Sequence, residues 1–415
     1  MIWSRGALLG YAGAAFLFGI LLHSLKPYEA VFPRELPWML AGFLLLMLIP
    51  SVRKSTRVFP ALLLIFCALA GVWRFELARP SLPFDLKPFD PKGFAWVTAK
   101  NYSPQDPRYF LVEQRKRTTA HINQSLPGDQ GALLAGMLYG ERALSDSAKE
   151  LFRNAGMLHL IAVSGSNVTI LVVIVMRILI GMGISRKPAF VGMTVTLIAF
   201  VIFVGPQASV VRAGIMGWLI ELAPLVGRLP KTSRILLVSA IVFSLFQPWV
   251  LLYDAGFALS FLATLGLLTF GLWLNERMRA LPIIYTIREI VTATFAATLL
   301  TLPYSAWAFG NVSFIGLFTN TLAIPLVPWV MGTGALVILS PAGSMFHLPA
   351  KGFLEVIIYI SRIPEYIPFG VWNNLSTGYV FMIGSYIFLY VIWRYIKRKN
   401  LLGLDSIHNK HYFLS

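Results

Sequence analysis

The sequence predicts an all-α fold: a polytopic helical membrane protein with about 12 membrane segments, interfacial helices and a short external segment. Hydrophobic residues make up 57% of the 415 residues and charged residues 13%, and the mean hydropathy is +0.71. This composition excludes an ordinary soluble protein. Apolar stretches of about 17 to 25 residues, the length of a helix that crosses a bilayer core, also recur along almost the whole chain.

Twelve spans are predicted where apolar runs alternate with charged or Pro/Gly-rich breaks. Their ranges are 7–24, 36–50, 58–77, 157–182, 188–204, 208–227, 235–251, 255–274, 289–309, 319–340, 353–368 and 378–396. The run 353–368 contains two glutamates, Arg362 and Pro364, which suggests a short interfacial or re-entrant segment.

Basic residues set the expected orientation, because Lys and Arg are retained on the cytoplasmic side of a membrane. They cluster in alternate loops, at 53–57, 186–187, 228–234, 277–279 and 394–399. This pattern predicts that both termini are cytoplasmic and that residues 79–156 lie outside. The basic run 115–117 is an exception, which longer translocated segments tolerate.

The spans divide the chain into four expected parts. These are an N-terminal three-helix membrane region (1–78), a short external segment (79–130), the main membrane domain (131–396) and a cytoplasmic tail (397–415). In the external segment, the patches "FAWVTA" and "RYFLVEQ" could be strands. The first span is expected to be an uncleaved anchor, since no convincing cleavage site follows it.

Residues 130–156 are predicted to form two interfacial helices. A capping box of Ser147 and Glu150 would open the second helix, and Gly156 would end it.

Charge and cysteine content narrow the chemistry. The single cysteine, Cys67, excludes a disulfide framework and a thiolate metal site. The net charge of +17, from 35 basic and 18 acidic residues, is typical of a membrane protein with basic inner loops. It is also compatible with a polyanionic ligand.

The stretch "GMLHLIAVSGSNVTI", residues 156–170, places polar side chains inside an apolar run. Such groups are costly in lipid unless partners satisfy them or they line a water-filled path. A continuous helix would bring several of them, with a later arginine, onto one polar face. The members of this face are His159, Ser166 and Arg177, with Asn167 and Thr169 on its flanks.

Ser164 lies away from that face unless Gly165 breaks the helix and turns it back. Hydrogen bonding between helices is the usual role of a single polar residue in a membrane, and we favour it for Ser164 alone. For the His, Asn and Arg set together, we favour a water-filled path.

Arg212, in "GPQASVVRAG", stays charged and therefore needs an anion, a cluster of carbonyls or water. Glu221 lies on the opposite side of the same helix, so the two should not pair within it. Asp254 is expected to be interfacial. A hydroxyl stripe that ends beside Pro303 is expected to serve packing. Its members are Thr294, Thr298, Thr301 and Ser305.

Four segments resemble the membrane domain of the ComEC-type competence proteins, the inner-membrane DNA-uptake channels of transformable bacteria. They are "LLAGMLYGERALSDSAKELFRNAGMLHLIAVSGSNV", "GPQASVVRAGIMGWL", "QPWVLLYDAGFALSFLATLGLL" and "LTLPYSAWAFGNVSFIGLFTNTLAIPLVP". They occur in the family's order and cover most of residues 131–340. The resemblance implies a competence-type membrane channel domain in the bacterial cytoplasmic (inner) membrane.

The resemblance also implies which residues build a channel for one DNA strand. Those matching family motifs are His159, Ser164, Gly165, Arg212, Gly256, Ser260, Pro303, Asn320 and Pro325. Ser166 and Asn167 stand where the family often has a second histidine, and with Arg177 they complete the candidate channel-lining set. No catalytic residue, cofactor or metal is expected, and the chain is not expected to be an enzyme.

Two departures from the family pattern shape the expected partners. The external segment has room only for a remnant of the family's OB-like domain. No His-x-His-x-Asp-His cluster follows the last span, so no nuclease is expected in this chain. No ATP-binding loop is present either. The implied partners are single-stranded DNA, membrane lipid, a cytoplasmic helicase-type motor, an external DNA receptor and a separate nuclease.

Two rival functions use the same residues. A secondary transporter of a small or lipid-linked anion could use the basic residues and the Pro-broken helices. An intramembrane hydrolase could use Ser164, but His159 lies about 140° away on a continuous helix, which is poor for a dyad. The sequence also lacks the glycine spacing of a nucleophile elbow.

Overall fold

The structure is a computed structural model, and helices dominate it. It describes residues 5–24, 36–49, 55, 58–78, 107–141, 143–161, 163, 165–205, 208–246, 248, 251, 254–279, 285–341, 344–367, 370–372, 375 and 377–411. The chain divides into two compact units. The first contains Met1–Ala143, His159–Ser260 and Met331–Ala350, and the second contains Leu144–Leu158, Phe261–Val330 and Lys351–Ser415.

The helices of the first half of the chain are α1 (Arg5–Ser24), α2 (Leu36–Leu48), α3 (Val58–Ala78), α4 (Pro107–Ser125), α5 (Asp129–Tyr139), α6 (Asp146–Asn154), α7 (Leu158–Ile161), α8 (Gly165–Gly181), α9 (Arg186–Val204) and α10 (Ala208–Leu225). Those of the second half are α11 (Thr232–Phe246), α12 (Ala255–Gly266), α13 (Leu272–Met278), α14 (Tyr285–Phe309), α15 (Gly316–Ala323), α16 (Val327–Leu339), α17 (His347–Ser361) and α18 (Tyr379–His411). Strands β1 (Val312–Ser313) and β2 (Val371–Trp372) form a two-stranded antiparallel ladder that pairs Val312 with Trp372.

Helix occupies each of the twelve predicted spans, which confirms the all-α polytopic class. Within the described part of the chain, seven helical stretches are long and apolar enough to cross a membrane. They are Ala7–Ser24, Val58–Leu77, Arg186–Val204, Ala255–Met278, Ile287–Phe309, Gly316–Leu339 and Tyr379–Arg398. Two shorter apolar helices, Asn167–Gly181 and Thr232–Phe246, also fall on predicted spans. The count of twelve crossings stays a prediction.

Among the described residues, three of the predicted spans that hold candidate site residues depart from a regular α-helix. The first is interrupted between α7 and α8. The second carries a π-helical turn at Leu267–Gly271, between α12 and α13. The third has a 3₁₀ turn at Ile324–Leu326 that contains Pro325, whose missing N–H cannot continue an α-helix.

Two predictions for residues 79–156 are wrong. "RYFLVEQ" is not a strand, because it lies inside α4, whereas "FAWVTA" falls outside the described residues. The N-cap of α6 is Ser145, not Ser147, and its hydroxyl accepts a 3.2 Å hydrogen bond from the N–H of Ala148. Only Ser147 has an acidic residue, Glu150, at capping-box spacing, but the extended backbone and the hydrogen bond lie at Ser145.

The predicted end of α6 at Gly156 is confirmed. Gly156 has φ +65°, and its N–H donates to the Arg153 carbonyl at 3.0 Å. The N–H of Met157 donates to the Phe152 carbonyl at 2.8 Å, which completes a Schellman motif.

In the first unit, the backbones of α1 and α3 are in direct contact at two glycines. A Cβ on Gly19 would lie 1.9 Å from the Ala68 carbonyl oxygen, and one on Gly71 would lie 2.1 Å from that of Phe16. Small residues allow such contacts between membrane helices. Near the ends of both helices, His23 forms a hydrogen bond with Glu76.

In the second unit, α14 and α18 share a core. Phe270, Ala296, Leu300 and Leu389 form its buried cluster. The Tyr386 hydroxyl, on α18, donates to the Leu300 carbonyl at 2.9 Å, so the polar end of that ring is satisfied.

Two contacts of α4 conflict with strict alternation of the twelve spans. Arg115 Nε donates to the Phe203 carbonyl at the end of α9, and His121 Nε2 lies 3.0 Å from the Val337 carbonyl near the end of α16. Arg115 and His121 are only about 9 Å apart along their helix. Alternating spans would separate those two helix ends by the whole hydrocarbon core, about 30 Å. The ends of α9 and α16 therefore lie on the same side.

The same contact accounts for part of the basic run 115–117. Arg115 lies at the C-terminal end of α9, where carbonyl groups without intrahelical partners carry partial negative charge. Its guanidinium also lies 5.9 Å from the centroid of the Phe203 ring. This basic residue therefore caps a helix, whatever its side of the membrane.

Candidate channel-lining site

The stretch 156–170 does not form one continuous helix. Helix α7 ends at Ile161, and α8 begins at Gly165. The predicted continuous polar face is therefore wrong for His159, and the interruption before Gly165 is the alternative that the structure confirms. Gly136 of α5 packs against the break, since a Cβ there would lie 2.3 Å from the Ile161 carbonyl oxygen.

The polar side chains around the break have different surroundings. His159 and Arg177 are exposed. Asn167 is 1% exposed, and its Nδ2 donates to the Met137 carbonyl of α5 at 2.8 Å. Ser166 lies in the first turn of α8, but the described structure does not include its side chain, and Ser164 lies wholly outside the described residues. Asn167 therefore makes a bond between helices, the alternative to a water-filled path.

Arg212 is the buried cation of this region. It lies in the second turn of α10 and is 2% exposed. A Cβ built on Gly165 would lie 3.7 Å from Arg212 Nη2, so the guanidinium reaches the first residue of α8. The Ser209 hydroxyl, one turn earlier, lies 3.5 Å from the Val163 carbonyl within the break. The start of α10 therefore faces the break.

Asp254 is the residue of this site that sequence reasoning missed. It is 8% exposed within the protein, and its negative charge acts on the positive charge of Arg212. Its expected place at the membrane interface stays a prediction. Asp254 is also the N-cap of α12, because its Oδ1 accepts a 3.0 Å hydrogen bond from the N–H of Phe257. The signal was present in the sequence as an aspartate directly before the apolar run "AGFALSF".

The electrostatics of the site combine a buried arginine and a buried aspartate with two helix N-termini. Helix α8 starts beside the Arg212 guanidinium, and α12 starts at the aspartate that attracts it. The N–H groups of a first helical turn carry partial positive charge. These N–H groups and Arg212 together make the surroundings favourable for an anion. The negative charge of Asp254 offsets the positive charge of the arginine within the protein.

Glu221 does not pair with Arg212, as expected from their positions on α10. Its Oε2 lies 3.7 Å from Nη2 of Arg186, at the start of α9.

The side of α10 that packs on α8 is lined with small residues, and a Cβ on Gly217 would meet Val172 at 3.4 Å.

The remaining candidate residues fall in both units. Gly256 is exposed and Ser260 half-buried, and both lie on α12 in the first unit. Pro303 is buried within α14, and Pro325 is exposed at the 3₁₀ turn. Asn320, on α15, is 7% exposed and donates from Nδ2 to the Gly156 carbonyl at 3.3 Å.

The hydroxyl stripe on α14 is consistent in part with packing. Thr301 donates to the Ala297 carbonyl of its own helix at 3.1 Å. Thr294 is buried, and its hydroxyl has no hydrogen-bond partner within the described ranges. Among the residues that the structure describes, no three His, Cys, Asp or Glu side chains come close enough together to hold a metal ion.

Comparisons with known proteins agree with the resemblance read from the four segments. The chain matches the sequence model of the family described as Competence protein over residues 137–399, more than half of its length. It is 27% identical over 264 residues to ComE operon protein 3 of Bacillus subtilis (strain 168), a match that covers 63% of this chain and 33% of that relative. No solved structure matches the chain. The chain belongs to the competence protein family.

Proposed function

We propose that the chain forms a channel in the bacterial cytoplasmic membrane that passes single-stranded DNA during DNA uptake in natural transformation. The observation that carries this proposal is the burial of Arg212 against the first residue of a broken helix. Family membership supports a role in competence. The matched stretch spans about a third of the curated relative, so the activity proposed is that of a membrane domain.

A single DNA strand carries one negative charge on each phosphate, so its path through a membrane needs cations and hydrogen-bond donors. Arg212 supplies a permanent cation, and the first turn of α8 supplies backbone N–H groups beside it. For a passing phosphate to face both, the helices that bury Arg212 would have to part.

Asp254 fits this role because a channel must bind its cargo weakly enough to release it. Without a strand, Asp254 offsets the charge of the buried arginine. With a strand, each phosphate competes with the aspartate for the guanidinium. The exchange keeps Arg212 compensated throughout and prevents any one phosphate from binding tightly.

The proposal extends to the partners. A cytoplasmic helicase-type motor would draw the strand inward, and an external receptor would deliver the DNA. A separate nuclease would remove the other strand, while this chain acts as a channel and not as an enzyme. Both termini would be cytoplasmic, with the segment 353–368 re-entrant and not a full crossing.

Uptake of labelled double-stranded DNA into the cytoplasm of the source cell tests the proposal. The strains compared are wild type, a deletion, Arg212→Ala, Arg212→Lys and Arg228→Ala, at matched membrane levels. Arg228 is the control, because it is an exposed arginine just beyond the end of α10.

We expect the deletion and Arg212→Ala to stop DNA at the outer side of the membrane. Arg212→Lys keeps the charge and should retain part of the uptake, and Arg228→Ala should match wild type. Equal uptake in the deletion and in wild type would contradict the proposal. The anion transporter would then be the next function to test, through flux that depends on an ion gradient.

A further inference from the structure

Three side chains of the segment 313–320 donate hydrogen bonds to three successive backbone carbonyls at the end of α6. The pairs are Ser313 Oγ to Asn154 at 2.6 Å, Thr319 Oγ1 to Ala155 at 2.6 Å and Asn320 Nδ2 to Gly156 at 3.3 Å. All six residues belong to the second unit. We call this set of bonds the 154–156 latch.

The bonds of the latch satisfy groups that helix geometry leaves without partners. The last carbonyls of a helix have no intrahelical donor, and the Schellman motif of α6 uses only those of Phe152 and Arg153. The next carbonyls lie in a buried region, where Ala155 and Thr319 are both 0% exposed. An unpaired carbonyl there would carry its full desolvation cost.

Two glycines let the segments meet at backbone distance. A Cβ on Gly156 would lie 3.0 Å from the Cα of Gly316, and one on Gly316 would lie 3.3 Å from the Cα of Gly156. Ser313 also accepts a 3.1 Å hydrogen bond from the N–H of Gly316, which holds the start of α15. The latch therefore combines three side-chain hydrogen bonds with a direct contact between two backbone segments.

We propose that Thr319 is the positioning residue of this latch and that the latch fixes the backbone that leads into the broken helix of the channel. Gly156, the last latched residue, precedes His159 by three positions. The inference rests on the proposed function, because it assigns to Thr319 the placement of the chain that leads to the break between Ile161 and Gly165. In this role Thr319 does not contact DNA; it acts through the backbone of residues 154–156.

A valine substitution isolates the hydroxyl of Thr319. Thr319→Val keeps the β-branched shape and removes the donor to Ala155, whereas Thr319→Ser keeps the donor. Thr321→Val is the matched control. Thr321 lies on the same helix, but its hydroxyl bonds only to the Leu317 carbonyl of that helix, at 2.7 Å.

Hydrogen exchange of the purified full chain measures the latch without any reference to DNA. We expect Thr319→Val to speed exchange at the amides of Gly156 and Met157 on the order of tenfold. Thr319→Ser and Thr321→Val should exchange as wild type does. Unchanged exchange in Thr319→Val would refute the latch.

DNA uptake by the same variants tests the positioning role. Thr319→Val should lower uptake, and Thr319→Ser and Thr321→Val should not. Faster exchange with normal uptake would overturn the positioning role while the hydrogen bonds stand. If wild type itself carries no DNA, the proposed function fails, and the exchange result still decides whether the latch exists.

Discussion

Replacing Asn167 by alanine tests whether this buried amide ties two helices together. Asn167 is almost fully buried, and it donates at 2.8 Å to the Met137 carbonyl of α5. Alanine removes the donor and leaves that carbonyl without it. Hydrogen bonds between membrane helices contribute about 0.6 kcal/mol on average and up to about 1.7. An unsatisfied buried group costs about 1–3 kcal/mol. We therefore expect a loss of about 1–2 kcal/mol in the free energy of unfolding.

The assay is reversible denaturation of the purified protein in bicelles, with Thr169→Ala as the control. Thr169 lies near Asn167 on α8, but its hydroxyl donates only to the Gly165 carbonyl of its own helix, at 3.0 Å. The control should change stability by less than about 0.5 kcal/mol. Unchanged stability in Asn167→Ala would refute the reasoning. If DNA uptake falls while stability holds, Asn167 lines the path, as the sequence analysis favoured.

Two further predictions concern the membrane arrangement and the N-terminal helices. In a background without Cys67, cysteines placed at Gln207 and Pro341, which follow α9 and α16, should react with an impermeant thiol reagent from the same side. Labelling from opposite sides would contradict the inference, drawn from the contacts of α4, that the ends of α9 and α16 lie on the same side. Gly71→Leu should lower the thermal unfolding temperature of the protein markedly, because a Cβ there meets a backbone oxygen at 2.1 Å. Gly42→Leu should have little effect, since nothing lies within 4 Å of its Cβ position, and equal effects would refute the close packing of α1 and α3.

Apolar run length was enough to predict the helices and the membrane class, because a bilayer fixes the length of what crosses it. It could not predict α4. Its central residues "EQRKRTTAHINQ" have no hydrophobic period, and the helix depends on tertiary contacts such as those of Arg115 and His121. The side on which each helix ends also depends on such contacts and not on charge alone.

The candidate site was predictable only in part. Arg212 stood out because a lone arginine in an apolar run needs a partner. Its attraction to Asp254 could not be read from the sequence, because the two residues lie on different helices and 42 positions apart in the chain (254 minus 212). The sequence allowed either a continuous helix through Gly165 or a break there. In the structure the break occurs, and α5 packs against Ile161 beside it.

In the proposed function, this membrane domain itself provides the path for a single strand. Purified protein in liposomes tests it, with a membrane potential that is positive inside the lumen and worth about 2.3 kcal/mol per charge at 100 mV. The measured quantity is labelled oligonucleotide protected from added nuclease. We predict that wild type protects single strands, that it protects few duplexes of the same length, and that Arg212→Ala protects neither. Wild-type liposomes that protect no more single strand than empty liposomes would contradict the account.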